Sequence, residues 1–174
     1  HAVAALGYSH PRLLAALDGQ ARALIFQSNA VPLDVRARAA LRLTQFAGLG
    51  LNTAFFINTG AEANENALKL ALRITRRRKV VAIEGSFHGR TAAAGAVTWG
   101  AAQKWYGFPQ APFDVEFVPR GDLAAIERIV GTDTAAVIVE PVQGVGGALD
   151  LGEAFLAALR KRCTETCALL VFDE

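Results

Sequence analysis

Three short stretches of the sequence gather residue types that can hold and polarise a small ligand. The first is Phe56-Ile57-Asn58-Thr59-Gly60-Ala61-Glu62-Ala63-Asn64, an apolar run, a small-residue turn and then helix formers. Gly60 and Ala61 leave room for a ligand to approach backbone N–H groups where the helix starts, which is an anion site by geometry. The Gly-Lys-Ser/Thr of a Walker loop is missing, and so is the G-x-G-x-x-G dinucleotide turn. Taken alone, the stretch equally suits a capped turn with no ligand. The second is Glu84-Gly85-Ser86-Phe87-His88-Gly89-Arg90-Thr91. Arg90 suits bidentate binding of a carboxylate or phosphate, and Phe87 offers a flat face to a ring. Individually, His88 reads as a structural hydrogen bond and Phe87 as core; clustered after a strand, they favour a site. The third is Phe172-Asp173-Glu174, an acid directly after an apolar run. A carboxylate there is costly unless it meets a cation, and a protonated ring nitrogen would serve.

An anion cradle, an aromatic face, an arginine and a strand-end acid suit one kind of ligand. A phosphorylated, protonatable aromatic ring such as pyridoxal phosphate would use all four. The glycines of Glu140-Pro141-Val142-Gln143-Gly144-Val145-Gly146-Gly147 open no helix at once, which argues against a nucleotide loop.

These stretches need a scaffold, and hydrophobic periodicity supplies one. Residues 11–26 predict a helix, with Pro11 at its first position and Leu14, Leu17, Ala21, Leu24 and Ile25 on one face. Residues 33–47 predict a second, lined by Leu33, Ala37, Leu41 and Thr44. The apolar run at 54–57 reads as a strand entering the Gly60 turn, and Ala61 to Ile74 as the helix after it. Strands follow at 80–83, 115–118, 135–139 and 168–172. Helical patterns lie between them: in part over 91–106, then 122–130, with Leu123, Ile126 and Val130 inward, and 153–166. Apolar strands alternating with helices indicate an α/β fold, a mainly parallel sheet covered on both faces. Ligands collect at the carboxyl ends of such strands, where all three stretches fall. The basic run Arg76-Arg77-Arg78-Lys79 reads as a solvated helix end.

Composition bounds the rest. The 174 residues are 52% hydrophobic, enough to fill a core and to exclude a disordered chain. Eighteen basic against 16 acidic residues give a net charge of +2, which offers no footprint for nucleic acid. No apolar run reaches membrane-spanning length, and His1-Ala2-Val3-Ala4 has no basic signal-peptide start. Cys163 and Cys167 lack the further ligands a zinc site needs and read as free thiols in a reducing, cytoplasmic setting. The chain has no Met and stops on a strand pattern without a closing turn, so both ends read as cut.

Collinear stretches carry a wider resemblance. Ala5-Leu6-Gly7-Tyr8-Ser9-His10-Pro11, Phe56 to Glu65, Glu84 to Thr91, Glu140 to Gly144 and Phe172 to Glu174 together resemble the class III pyridoxal-phosphate aminotransferases of ornithine, acetylornithine and 4-aminobutyrate type. The resemblance implies a fold-type I large domain. Residues 1–174 would form part of its cofactor-binding domain, lacking the N-terminal arm and a C-terminal part. It implies that Gly60 and Ala61 hold the cofactor phosphate, Phe87 stacks on the pyridine ring, and Arg90 binds a substrate carboxylate. Asp173 would pair with the pyridine N–H and serve catalysis, with Glu140 in support. The family's cofactor-bearing lysine lies downstream of Asp173, and none of Lys69, Lys79, Lys104 and Lys161 matches it. Val145 departs from the pattern, since ornithine and acetylornithine members usually have Glu there. The implied whole is a cytoplasmic homodimer moving an amino group from an amino acid or ω-amine to a 2-oxo acid by a ping-pong mechanism. An aminomutase of the same fold, or a non-catalytic binding or assembly module, stays open at this stage. The 174 residues alone are expected to be inactive.

Overall fold

A computed structural model describes residues 4–174. The chain divides into two compact units, one ending at Phe56 and one running Ile57–Glu174.

The first unit contains α1 (Pro11–Ala23) and α2 (Asp34–Ala47). Pro11 opens α1 because its missing N–H would lack a helical partner anyway. Between the helices, the Arg36 guanidinium donates to the carbonyls of Gln27, Ser28 and Val31, fixing the connection. Neither helix buries a residue. The first helix ends at Ala23, short of the expected 26, so Leu24 and Ile25 fall outside it, and Leu14 and Leu17 of the stripe expected to point inward are exposed. The run at 54–57 departs from expectation too. It forms no strand, because none of the described segments offers it a backbone ladder to pair with.

The second unit is organised by a four-stranded parallel sheet in the order β2-β1-β3-β6. Its strands are β1 (Lys79–Ile83), β2 (Asp114–Val118), β3 (Thr134–Val139) and β6 (Leu169–Phe172). Between β3 and β6 lies a short antiparallel hairpin, β4 (Val142–Gln143) with β5 (Leu149–Asp150), which the sequence pattern did not indicate. The helices are α3 (Gly60–Thr75), α4 (Ala92–Ala96), α5 (Ala101–Lys104), α6 (Leu123–Ile129) and α7 (Glu153–Thr166).

The pleat sorts alternate residues of the central strands into two cores. Val81, Ile83, Val137 and Val139 meet Ala125 and Ile126 of α6 and Phe155, Leu159 and Cys163 of α7 on one face. Val80, Ala82, Ala136 and Ile138 meet Leu68 and Ala71 of α3 and Ala93 of α4 on the other. With both faces covered, β3 is buried along its whole length, which is why it reads as a continuous apolar run. Leu123, expected inside, is exposed at the start of α6, while Ile126 and Val130 are buried as expected.

The basic run after α3 is not merely solvated. Arg77 donates to the carbonyls of Thr134 and Thr166 at 2.8 and 2.9 Å. Lys79 donates to the Ile129 carbonyl and pairs with Asp133 at 3.0 Å and Glu116 at 3.5 Å. Both side chains satisfy backbone or acidic groups at the amino-terminal edge of the sheet. Cys163 is buried in α7, where loss of hydration pushes its thiol up to about 11. It is packing material, not a nucleophile.

Candidate functional site at the carboxyl edge of the sheet

The site begins with how α3 starts. Thr59 is the N-cap: its hydroxyl accepts from the Glu62 N–H at 3.1 Å. The Glu62 carboxylate reaches back to the N–H groups of Asn58 and Thr59 at 2.8 and 3.2 Å. This reciprocal cap satisfies the third helical N–H and leaves the first two, on Gly60 and Ala61, without an acceptor among the described residues. Two free donors at the positive end of a 16-residue helix form an anion cradle.

The loop after β1 is pressed against that cradle. Gly89 has φ +133°, and a Cβ there would lie 2.6 Å from the Ala61 Cβ and 3.0 Å from the Ala94 Cβ. Only glycine permits so close an approach. Glu65, one turn into α3, accepts from the N–H groups of Ala93 and Ala94 and so ties α3 to the start of α4. Burial pushes its carboxyl up, but the Thr91 hydroxyl, the two amides and Lys69 outweigh this and hold it below its ordinary value.

Phe87 and Asp173 complete the frame. The Phe87 N–H donates to Glu140 Oε1 at 2.7 Å, and the other Glu140 oxygen accepts from the Gly144 N–H at 3.1 Å. The buried Glu140 carboxylate thus joins the loop after β1 to the loop after β3. The Phe87 ring meets Trp105 edge-on, with centroids 4.9 Å apart. Asp173 continues the ladder past β6, its N–H donating to the Val139 carbonyl at 2.9 Å. Its Oδ2 accepts from Asn64 Nδ2 and lies 2.8 Å from His88 Nδ1, also 2.8 Å from the amide donor. Its Oδ1 has no protein partner among the described residues.

Gly60, Ala61, Phe87, Arg90 and Asp173 line one open cleft of about 520 Å³, joined by Thr59, Asn64, His88, Gly89 and Thr91. All five site residues expected from the sequence therefore meet. Arg90 is exposed and makes no ion pair among the described residues, so its guanidinium is available to an anion. Glu140 lies behind the cleft wall, and Val145, 43% exposed, does not line the cleft. Asn64 carries no sequence-based assignment, and His88 reads from sequence as a structural hydrogen bond within a clustered site, with no partner named. Their partners are 109 and 85 residues away, so no local spacing reveals them. The Thr59-x-x-Glu62 cap, by contrast, carries a legible local signature.

These groups fit a flat phosphorylated ring with a cationic nitrogen. Two unpaired amides suit the phosphate, and a carboxylate with one free oxygen suits the ring N–H. A half-exposed phenyl face suits the ring itself, and a free guanidinium suits a carboxylate beside it.

A parallel α/β domain with a ligand cleft at its strand carboxyl ends is what fold and site define. The chain belongs to the class-III aminotransferase family, whose model matches residues 1–174. It is 43% identical over 173 residues to an acetylornithine aminotransferase of Methanopyrus kandleri, covering 99% of this chain and 44% of that protein. An acetylornithine aminotransferase of Myxococcus xanthus is 41% identical over 179 residues, again 44% of its length. The chain thus spans less than half of these curated relatives. Among solved structures, the ornithine aminotransferase of Toxoplasma gondii superposes with a TM-score of 0.83 at 29% identity, over 96% of this chain and 41% of that one.

Proposed function

We propose that residues 1–174 are part of the cofactor-binding large domain of a pyridoxal-phosphate-dependent aminotransferase. The whole protein would take an amino group from an amino acid or ω-amine of the acetylornithine and ornithine kind and deliver it to a 2-oxo acid. The observation that carries this reading is the convergence of Gly60, Ala61, Phe87, Arg90 and Asp173 on one cleft. When bound, pyridoxal phosphate supplies an electron-withdrawing ring that accepts and returns the amino group, so that donor and acceptor react in turn.

Each residue then has a task. The Gly60 and Ala61 amides bind the phosphate and fix the ring's position at the helix start. Phe87 holds the ring plane, backed by Trp105 and by the Glu140 contact with its amide. Asp173 keeps a proton on the ring nitrogen by presenting a negative charge whose other oxygen is already held. Arg90 orients the substrate carboxylate. The setting we propose is a cytoplasmic homodimer.

The full-length protein tests this. Incubated with pyridoxal phosphate, it is expected to bind about one equivalent per chain and to transfer the amino group of acetylornithine or ornithine to a 2-oxo acid. Failure to bind the cofactor would overturn the reading. Binding with isomerisation of a single substrate, and no transfer between two, would favour an aminomutase.

A further inference from the structure

His88 stands out once the cleft has been assembled. Its side chain has no solvent exposure, yet Nε2 has no hydrogen-bond partner among the described residues. A phenyl ring would fill similar space without burying an orphan nitrogen, so packing alone does not call for imidazole. The other nitrogen explains the choice: Nδ1 lies 2.8 Å from Asp173 Oδ2.

The backbone of His88 is clamped on both sides. Its N–H donates to the Thr98 hydroxyl at 2.9 Å, and its carbonyl accepts from Asn64 Nδ2 at 2.8 Å. Thr98 in turn donates towards the Gly89 and Ala94 carbonyls. Asn64 therefore spends its two amide hydrogens on the two partners that must be aligned, the His88 carbonyl and Asp173 Oδ2. With the main chain fixed, the imidazole has little freedom to turn away from the carboxylate. Because a carboxylate oxygen needs a donor and Nε2 faces no acceptor, the ring proton belongs on Nδ1.

We infer that His88 is a positioning residue. Its Nδ1–H, with the Asn64 amide, locks Oδ2 of Asp173 so that Oδ1 alone is presented to a cationic ring nitrogen in the cleft. This rests on the reading of Asp173 as that nitrogen's partner. Asn64 and His88 thus divide the work of holding one oxygen, and neither needs to touch the ligand. The arrangement fixes which way a cationic ring can sit: nitrogen towards Asp173, phosphate towards Gly60 and Ala61.

The test uses the full-length protein loaded with pyridoxal phosphate, with His88→Phe and His88→Asn as variants. Phenylalanine keeps the bulk and removes the donor, whereas asparagine can place an N–H near the position of Nδ1. Nitrogen-15 NMR of histidine-labelled wild type is expected to show a proton on Nδ1 of His88. The cofactor dissociation constant measured by dialysis is expected to rise about fivefold in His88→Phe, no more than the loss from removing the Asp173 charge itself, with His88→Asn restored to within about twofold of wild type. A ring with no proton on Nδ1 would overturn the inference, even if His88→Phe failed to fold. Equal cofactor retention in wild type and a folded His88→Phe would overturn it too, while leaving the cofactor reading intact. A wild type that takes up no pyridoxal phosphate would instead overturn the reading of Asp173 on which the inference rests.

Discussion

At the scale of single residues, the cleft depends on atoms left unsatisfied on purpose. Asp173 has one oxygen doubly engaged and the other bare, and a bare carboxylate oxygen in a half-buried place is costly unless a cation arrives. The proposed function therefore predicts a particular split for Asp173→Asn in the full-length enzyme. The phosphate amides and the Phe87 face are untouched, so cofactor affinity is expected to fall by less than about tenfold. Turnover is expected to fall by about a hundredfold or more, because the charge that keeps the ring nitrogen protonated is gone. Unchanged kcat with intact cofactor binding would remove Asp173 from that role. Gly60, Phe87 and Asp173 were readable because each sits beside a change of periodicity: strand to turn at Gly60, strand to loop at Phe87, strand to acid at Asp173. Asn64, His88 and Glu140 act through partners distant in sequence, and their spacing carries no trace of those contacts.

At the scale of elements, α3 does most of the positioning. Its cap decides which amides remain free, its Asn64 reaches Asp173, and its Glu65 holds the start of α4. Gly60 is the first helical residue, its N–H is unpaired, and Thr59 before it is extended at φ −142° and ψ 157°. Proline is tolerated there, since the position needs no amide and its predecessor already has the required conformation. Gly60→Pro is thus expected to leave the thermal midpoint unchanged or slightly raised while weakening pyridoxal phosphate binding about tenfold. Loss of helix α3 by circular dichroism, or full cofactor affinity, would contradict this. Glu65 yields a pH prediction. Its folded pKa is depressed, so its contribution is present above the unfolded value of about 4.3 and is lost as pH falls through the folded value. Glu65→Gln should lower the urea midpoint at pH 7, and the gap to wild type should close as pH falls below about 4. A constant gap down to pH 3 would show that the ionised form gives no special support.

At the scale of the whole chain, the two units differ in what the sequence could reveal about them. In Ile57–Glu174 the alternation of apolar strands and helices maps directly onto a sheet covered on both faces, because each element finds its partner within the unit. The hairpin of β4 and β5 escaped notice because two-residue strands leave no periodic signal. In the first unit both helices form, the first ending at Ala23 short of the expected 26, yet their apolar stripes stay exposed, including Leu14 at 51%, Leu17 at 59% and Leu41 at 58%. So much uncovered apolar surface along two helices is what an interaction face looks like. Helices of this length are also marginal in water without a packed face. Hydrogen exchange can separate the two regimes by comparing residues 1–174 expressed alone with the full-length protein. In the short chain, the amides of α1 and α2 should exchange nearly as fast as in an unfolded peptide, while those of β1 and β3 stay protected. In the full-length protein α1 and α2 should gain at least about a hundredfold in protection, as other parts of the protein cover their stripes. Equal protection of these helices in both proteins would mean that α1 and α2 are stable as they stand, and that their exposed leucines and phenylalanines serve no burial in the whole molecule.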